Sequence, residues 1–322
     1  MKKNLLLVSL LFLAASAMAQ TETMTLTTSN AVGGQVRILL QAAPEDTAAI
    51  WIDLNNDGMR DANEEPTIWG TRAYYTIGSQ TITIHGKVAT LFCNSGNSNF
   101  TALDLSNNPS LSSLNCGINS LTSLDVTKNP LITYMQFYAN QIESVDLSNN
   151  TAMTQLNCAQ NKFTELVLPS SAPALYEIIC YSNSISGNNM TAFMNSLSTT
   201  TSGNKITIFD TAASTYPEAN AATTADVAIA TGKNWSVINK DGSAYTGVSG
   251  IDNITNSDLN ILSKKGYLEF NVAQPGELVS IYNIAGQQVF QGQLNGTSVN
   301  VPLEKGIYLV RVNSKVFKEV VE

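Results

Sequence analysis

The feature that most constrains the fold of this chain is a repeat, in which apolar residues and asparagines recur every 21 to 23 positions between about residues 88 and 190. A unit of this length is too short to bury its own apolar face, so consecutive units must stack to form a continuous core. The pattern predicts a solenoid of five coils, each contributing one short parallel strand. The equivalent residues are Cys93, Cys116, Phe137, Cys158 and Cys180; Leu114, Met135, Leu156 and Ile178; and Asn119, Asn140, Asn161 and Asn183.

Each coil follows the pattern L-x-x-L-x-C-x-x-N-x-L-x-x-L-D-L-S-x-N, which is clearest in the coil that begins at Leu111. This pattern resembles the leucine-rich-repeat family, in particular the 21-residue, cysteine-containing subtype of internalin-like bacterial surface proteins. The resemblance extends over residues 88–190, about a third of the chain. Whatever the family, we expect the asparagine column to turn its amides inward, where they satisfy backbone groups that a tight turn leaves unpaired.

The four cysteines of the chain all fall in one column of the repeat, and Phe137 occupies the fifth place in that column. A position that also accepts phenylalanine is a packing position, which predicts buried free thiols. Disulfide bonds between neighbouring coils are the alternative, because adjacent strands lie only about 4.8 Å apart. Parallel strands in register point the two sulfur atoms the same way, however, which favours the free thiols.

The repeat must be covered at its ends. We expect residues 191–240 to form the C-terminal cap, because the repeat pattern stops and is replaced by alternating helical and strand patterns. The predicted elements are a short amphipathic helix with Met190, Phe193, Met194 and Leu197 on one face, a strand at 205–209, a helical stretch at 225–230 and a strand at 235–237.

The region before the repeat, residues 20–87, is predicted to be a β-domain that carries a calcium-type loop. The loop matches the pattern D-x-[DN]-x-[DN]-G-x5-E at every defined position, and Gly58 permits its sharp turn. Oxygen atoms spaced in this way can surround one hard cation, so we expect weak, structural calcium binding. An acidic hairpin turn without a metal is the alternative. The predicted ligands are Asp53, Asn55, Asp57, Met59 through its backbone carbonyl, Asp61 and Glu64.

The two ends of the chain predict export. Residues 1–19 have the basic start, short apolar run and small-residue cleavage site of a signal peptide, which predicts cleavage before Gln20. The whole chain has a net charge of -8, and loss of Lys2 and Lys3 with the signal would make it about -10. A chain with this charge repels phosphate backbones, so we expect no nucleic-acid partner. The signal peptide predicts a secreted or cell-surface location.

Residues 241–258 are rich in Gly, Ser and Asn and are predicted to be a linker. Residues 259–322 contain short alternating runs between turn signals, which predicts a small antiparallel β-sandwich. The runs 283–289, 303–312 and 318–321 resemble, in this order, the C-terminal sorting domain of type IX secretion substrates of the Bacteroidetes lineage. That resemblance implies the outer-membrane secretion machinery as a partner. The predicted fold class is mainly β with short helices: a leucine-rich-repeat solenoid flanked by an N-terminal β-domain and a C-terminal antiparallel β-sandwich.

Binding is a better expectation for this chain than catalysis. His85 is the only histidine, and it lies in an alternating strand pattern that would place polar side chains in water. We expect a ligand to meet the residues that project from the parallel strands, where tyrosines stand among amides. The predicted function is an adhesin-like protein with a protein or glycan ligand; a structural scaffold with an ordinary solvated strand face is the alternative. The predicted binding residues are Tyr134, Gln136, Tyr138, Gln155, Asn157, Tyr176 and Tyr181.

Overall fold

The computed structural model describes residues 22–66, 68–95, 97–201, 203–212, 216–248, 259–272, 276, 278–296, 298–312 and 315–321. The predicted signal peptide, residues 1–19, and most of the predicted linker lie outside the described residues. The chain divides into two compact units, Met1–Thr246 and Gly247–Glu322. The described part contains two short α-helices, whereas strands, turns and a single 3-10 turn make up the rest, so the predicted fold class is confirmed. No helix in this part of the chain has the length and apolar character needed to cross a membrane.

The first unit opens with strands whose side chains alternate between core and solvent. In β1 and β5, every second residue is buried, and Leu26, Ile82 and Ile84 have no exposed surface. Four of the strands form an antiparallel sheet in the order β3-β5-β1-β7. The strands are β1 Thr23–Thr28, β2 Gln35–Gln41, β3 Trp51–Asp53, β4 Ala73–Thr76, β5 Thr81–His85, β6 Thr90–Phe92 and β7 Phe100–Asp104.

The repeats form the predicted stack of short parallel strands. These are β8 Ser113–Asn115, β9 Tyr134–Gln136, β10 Gln155–Asn157 and β11 Glu177–Ile179, and β6 pairs parallel with β8 at the start of the stack. On its other side, β6 pairs antiparallel with β2, and β2 pairs with β4. The strands β2, β4 and β6 therefore belong to the same nine-stranded sheet as the repeats, and both N-terminal sheets share one apolar core with them.

A left-handed residue and an asparagine shape the turn after each strand of the repeat. Ile118, Ala139, Gln160 and Ser182 all have positive φ values between 53° and 58°. The following asparagine then points inward, as predicted from the sequence. Asn140 donates from Nδ2 to the carbonyls of Cys116, Phe137 and Tyr138, and its Oδ1 accepts the backbone N–H of Leu121. The amide thus ties one coil to the next at a place where the backbone cannot pair with itself.

The interior of the stack is apolar and contains the four cysteines. Cys93, Cys116, Cys158 and Cys180 are all free and have no exposed surface, which confirms the prediction of buried thiols. Phe137 fills the same column and packs near Phe163, with ring centroids 6.0 Å apart. Burial raises the pKa of Cys93 and of Cys158 to about 12. The thiols are therefore core side chains in their neutral form.

The predicted cap extends the sheet instead of closing it with helices alone. Its strands run parallel to β11 and to each other, and the two helices pack together beside them. The second helix begins with a reciprocal capping box between Thr223 and Asp226. Trp235 is almost fully buried and its indole N–H donates to the carbonyl of Ser198. The elements are α1 Gly187–Ser196, β12 Asn204–Phe209, α2 Thr224–Gly232 and β13 Trp235–Asn239.

The second unit is a two-sheet antiparallel fold, as predicted for residues 259–322. Its strands are β14 Leu259–Lys264, β15 Tyr267–Val272, β16 Leu278–Asn283, β17 Gln288–Gln293, β18 Ser298–Pro302, β19 Gly306–Val312 and β20 Lys315–Val321. The two sheets have the orders β14-β15-β18 and β17-β16-β19-β20, and they enclose a core that includes Leu268, Phe270, Ile281 and Val310. The runs predicted from the sequence begin at Tyr267, so β14 was not predicted, because its residues follow directly on an Asn- and Ser-rich segment.

Candidate ligand-binding face

The parallel strands β6 and β8 to β11 present one continuous surface to solvent, which we call the strand face. Because side chains alternate along a strand and the strands pair in register, the outward residues form rows across the coils. One row starts at Thr90 and the next at Phe92, and a third row follows where the strands end. The rows are Thr90, Ser113, Tyr134, Gln155 and Glu177; Phe92, Asn115, Gln136, Asn157 and Ile179; and Gly117, Tyr138, Ala159 and Tyr181.

Tyr134 lies in the middle of the first row and is half-buried. Its ring packs against Phe92, with ring centroids 5.8 Å apart and a tilt of 39°. Burial raises the pKa of Tyr134; the nearby Tyr138 and Glu177 add to this increase, while the positive charge of Arg72 opposes it. The ring is therefore held in place, and its neutral hydroxyl can both donate and accept a hydrogen bond.

Tyr138 lies flat on the sheet. An ideal Cβ atom built on Gly117 would lie 2.6 to 2.9 Å from three atoms of the Tyr138 ring, which puts that point over the ring face and not at its edge. One face of the ring thus covers the backbone of Gly117. The absence of a side chain at Gly117 is what allows so close an approach.

Tyr181 ends the third row beside the cap. The Nζ atom of Lys240 lies 4.9 Å from the centroid of its ring, and the same ammonium group pairs with Asp210 at 2.9 Å. Burial raises the pKa of Tyr181, and the positive charge of Lys240 works in the opposite direction. Tyr181 is consequently positioned by a cation on one side, which leaves it less free to move than an isolated surface tyrosine.

Amide side chains form the rest of the predicted site, and they hold each other in place. Asn115 donates to Gln136 at 2.9 Å, and Gln155 donates to the carboxylate of Glu177 at 2.7 Å. Asn157 accepts the backbone N–H of Ala159 at 3.2 Å. These contacts order the amides before any ligand binds, which reduces the entropy lost on binding.

The structure brings the predicted binding residues onto one surface, with one at its margin. Tyr176 stands just before β11, where the strand has not yet begun, and 48% of its surface is exposed. It lies close enough to Tyr134 to contribute to the raised pKa of that residue, so the two lie in the same region. The remaining six predicted residues lie in the rows of the strand face.

Sequence reasoning missed one end of this surface. Since β2 and β4 continue the sheet beyond β6, the surface also includes Arg37, Arg72 and Tyr74. The sequence of residues 35–41 shows the alternation of a strand, but it does not show which strand pairs with β2. Pairing between β2 and β6 joins residues about 50 positions apart, and no local pattern encodes such a contact.

The calcium-type loop begins at the end of β3 and precedes β4. Its carboxylates are engaged by backbone N–H groups of the same loop. Asp53 accepts from Asp57 at 3.1 Å and from Gly58 at 2.8 Å, and Asp57 accepts from Met59 at 2.8 Å. Asn55 also accepts from Asp57, at 3.1 Å. The loop is thus folded around its first acidic side chain.

Glu64 closes the loop from the other end. Both of its carboxylate oxygens accept backbone N–H groups, from Leu54 at 2.8 Å and from Asp61 at 2.9 Å, and the residue is almost fully buried. Within the described residues, no three His, Cys, Asp or Glu side chains are grouped closely enough to hold a metal ion. Each engaged oxygen keeps a second lone pair, but calcium would have to draw the carboxylates together, so calcium binding stays a prediction.

His85 differs from the expectation of a side chain simply solvated on its strand. Its ring stacks on Trp51, with centroids 4.0 Å apart and planes 3° from parallel, and its Nε2 atom is buried. Burial lowers the pKa of His85, although the carboxylates of Asp53 and Glu64 oppose this effect. The imidazole belongs to the packing of the N-terminal sheet.

No protein-family model matches the chain, and no curated protein matches it. Among solved structures, the chain is similar to the functional domain of InlJ from Listeria monocytogenes, whose description says that it includes a cysteine ladder. The two share 14% sequence identity with a TM-score of 0.34, over 73% of this chain and 67% of that chain. The description of this chain as a solenoid of stacked coils rests on its own period, asparagine column and parallel sheet.

Proposed function

We propose that this protein is an exported binding protein, adhesin-like in character, whose strand face holds a protein or glycan ligand. The observation that carries the proposal is the ordered set of tyrosines on that face. Tyr134, Tyr138 and Tyr181 are each held by a different neighbour, and each is only partly buried. Rigid tyrosines supply contact area and a hydroxyl at little cost in entropy, which is why they dominate many binding surfaces.

The proposal is a binding role and not a catalytic one. A catalytic site needs acid and base groups with contrasting pKa values in a shared cleft. The first two rows of the strand face carry one titratable acid, Glu177, which is hydrogen-bonded to Gln155. The single histidine, His85, is stacked on Trp51 in another sheet.

We also propose the route by which the protein reaches its site of action. Residues 1–19 would direct export across the inner membrane. Residues 259–322 would be recognised by an outer-membrane secretion machinery of the type IX class, to which their sequence is similar. Support for this part comes from the separate compact unit that these residues form and from their two-sheet fold. The protein would then act as a secreted or surface-bound module.

The binding proposal is tested with residues 20–322 on an array of glycans and extracellular-matrix proteins, in the presence of calcium. A variant carrying Tyr134→Ser, Tyr138→Ser and Tyr181→Ser is compared with the native chain. A control variant carries Tyr282→Ser, in the second unit. We expect at least one ligand to be captured by the native chain and by the control and to be lost with the triple variant. Equal thermal unfolding temperatures would establish that all three chains are folded.

A captured ligand that is indifferent to the three tyrosines would overturn the assignment of the site. Capture of nothing at all, together with association of the protein in sedimentation as its concentration rises, would favour a self-associating scaffold. The same sedimentation run on the triple variant shows whether that association uses the strand face.

A further inference from the structure

The end of the strand face that lies on the N-terminal strands carries two arginines. Arg37 lies on β2, opposite Tyr74 on β4, and its guanidinium carbon is 5.5 Å from the centroid of the Tyr74 ring. Arg72 immediately precedes β4, and it lies close enough to the strand face for its charge to act on Tyr134. Its guanidinium donates to the side chain of Asn94 at 2.6 Å. We call Arg37, Arg72 and Tyr74 the arginine end.

Neither arginine is neutralised by a carboxylate. The ion pairs in the described part of the chain are Arg60–Glu65 and Lys240–Asp210, and neither includes Arg37 or Arg72. The Nε atom of Arg37 is buried and has no hydrogen-bond partner among the described residues. A buried, unpaired donor on a cation costs free energy in the unliganded protein, so an anion that reached it would be stabilised.

This local charge contrasts with the charge of the whole chain. The chain has 25 acidic and 17 basic residues, and a net charge of -8. An acidic protein repels most anions, so two guanidinium groups without a carboxylate partner among the described residues would attract an anion to this end of the strand face. Arginine is well suited to this task, because its planar fork matches a carboxylate or a sulfate in two parallel hydrogen bonds.

We propose that the strand face binds an acidic polysaccharide, with sugar rings along the tyrosines and a sugar carboxylate at Arg37 and Arg72. This inference rests on the proposed function and names the class of ligand that the same surface takes. A uronate residue would place its carboxylate between the two guanidinium groups. The next sugars along the chain would follow the strand face from the Phe92 ring to the Tyr134 ring, which pack against each other.

Three features favour a sugar chain over an acidic peptide. The flat ring of Tyr138, packed on Gly117, is suited to stack against the apolar face of a pyranose ring. The amides of Gln136 and Asn157 can each donate and accept, which matches the hydroxyl groups of sugars. Finally, the backbone groups of the inner parallel strands are already paired with neighbouring strands, so a peptide could not add a strand there.

The test measures binding of a polygalacturonate hexamer to residues 20–322 by isothermal titration calorimetry, beside a neutral glucan hexamer and a hexamer of glutamate. The Arg37→Gln, Arg72→Gln double variant is compared with Arg60→Gln, which changes the net charge at a site that already has a partner, Glu65. Because Arg37 packs on Tyr74 and its loss could disturb folding, Arg72→Gln alone is measured as well.

We expect the native chain to bind the acidic hexamer more tightly than the neutral one. Its affinity for the acidic hexamer should decrease as the salt concentration is raised from roughly 50 to 500 mM. The double variant should lose about tenfold or more in affinity, and Arg72→Gln about threefold or more. Arg60→Gln should remain within about twofold of the native chain. Tighter binding of the glutamate hexamer than of the uronate would overturn the choice of a sugar.

The outcomes separate this inference from the function on which it rests. If neutral glycans or proteins bind in a tyrosine-dependent way and the arginine variants change nothing, the acidic-ligand inference is wrong while the binding function stands. If no ligand depends on the tyrosines or the arginines, both are wrong. Uronate binding that survives in the folded double variant would place the anion elsewhere and reject the arginine end.

Discussion

The ring of Tyr138 lies over Gly117 so closely that a Cβ atom at that position would come within 2.6 Å of it. The relationship joins two neighbouring coils on the candidate binding face. It makes Gly117 a positioning residue for Tyr138, because the flat orientation of the ring depends on the missing side chain.

Replacing Gly117 with alanine should lift the Tyr138 ring off the sheet. We expect the unfolding free energy to fall by about 1 to 3 kcal/mol, as for other small-to-large changes at close contacts. Affinity for any ligand that stacks on Tyr138 should fall as well. Urea unfolding and calorimetric binding measure the two effects. Gly203→Ala is the matched control, since a Cβ atom there meets no atom within 4 Å.

The double variant Gly117→Ala, Tyr138→Ser tests the cause of that loss. With the ring removed, the new methyl group has room, so the alanine should cost little stability in the serine background. The double-mutant cycle therefore predicts a coupling of about 1 kcal/mol or more between the two positions. Additive effects would mean that the alanine acts through its own backbone and not through the ring.

The second prediction concerns the left-handed turn after β8. Ile118 has a φ of 53° and is 43% exposed, although a β-branched side chain is poorly suited to that conformation. Ile118→Asn should therefore raise the unfolding free energy by about 1 kcal/mol, because asparagine tolerates the left-handed region. Urea unfolding checks the sign. Leu131→Asn, at an exposed leucine outside the positive-φ set, should give no such gain.

The period of the repeat explains why so much of this structure could be predicted. A period states which residues are equivalent, so one interpretation of Leu114, Cys116 and Asn119 applied to every coil. It also placed the tyrosines on one surface, since alternation along a strand fixes the side on which each one emerges. The buried thiols followed from the column they share with Phe137.

What the period could not supply is contact with residues outside the repeat. The pairing of β2 with β6, and with it the arginine end, depends on a non-local contact that the local alternation in β2 does not specify. The stacking of His85 on Trp51 was missed for a similar reason: the two residues lie on different strands that pair only in the fold. The contacts that the sequence did not predict therefore involve segments outside the repeat.

The third prediction is a large loss of stability when an inward asparagine is removed. Asn140 is 5% exposed and its amide satisfies three carbonyl groups and one backbone N–H. Asn140→Ala removes four hydrogen bonds and leaves the backbone N–H of Leu121 without its acceptor in the core, although each carbonyl keeps one other donor, so we expect a loss of about 3 kcal/mol. Asn149→Ala removes one exposed hydrogen bond to Thr127 and should cost less than about 1 kcal/mol. Chemical denaturation of both variants measures the difference.

The fourth prediction is a loss of stability at alkaline pH that comes from the buried thiols. In an unfolded chain a thiol ionises near pH 8.5, as an order-of-magnitude reference. In the folded protein the pKa of Cys93 and of Cys158 is about 12, because burial disfavours the charged form. A raised folded-state pKa means that stability is complete below about pH 8.5 and declines as the pH rises toward 12.

Each buried thiol should contribute about 1.4 kcal/mol per pH unit to that decline. Urea unfolding of the native chain and of Cys158→Ala, between about pH 8 and pH 10, measures the contribution of one thiol. We expect a smaller slope for the variant, whatever its absolute stability. Equal slopes would show that Cys158 ionises alike in the folded and unfolded chains, which would contradict its burial.

The fifth prediction is calcium binding by the loop that follows β3. The oxygens of Asp53, Asp57 and Glu64 accept backbone N–H groups but keep free lone pairs, and Asp61 adds a fourth carboxylate to the loop, so a bound calcium ion would draw these groups together. With a dissociation constant of roughly 0.1 to 1 mM, about 10 mM calcium should add about 1 to 3 kcal/mol to the unfolding free energy. Magnesium should add less, since its small shell prefers water.

Asp57→Asn tests whether the loop is responsible for that stabilisation. Asp57 is exposed, and the amide oxygen of an asparagine can still accept the backbone N–H of Met59, so the change removes only the surface hydrogen bond from Asn55. We expect the variant to fold and to lose most of the response to calcium, because one of the charged oxygens is gone. Asp104→Asn, an exposed aspartate on β7, should respond like the native chain. A native chain whose thermal unfolding is unaffected by calcium would instead support the metal-free hairpin, with Glu64 as its internal hydrogen-bond acceptor.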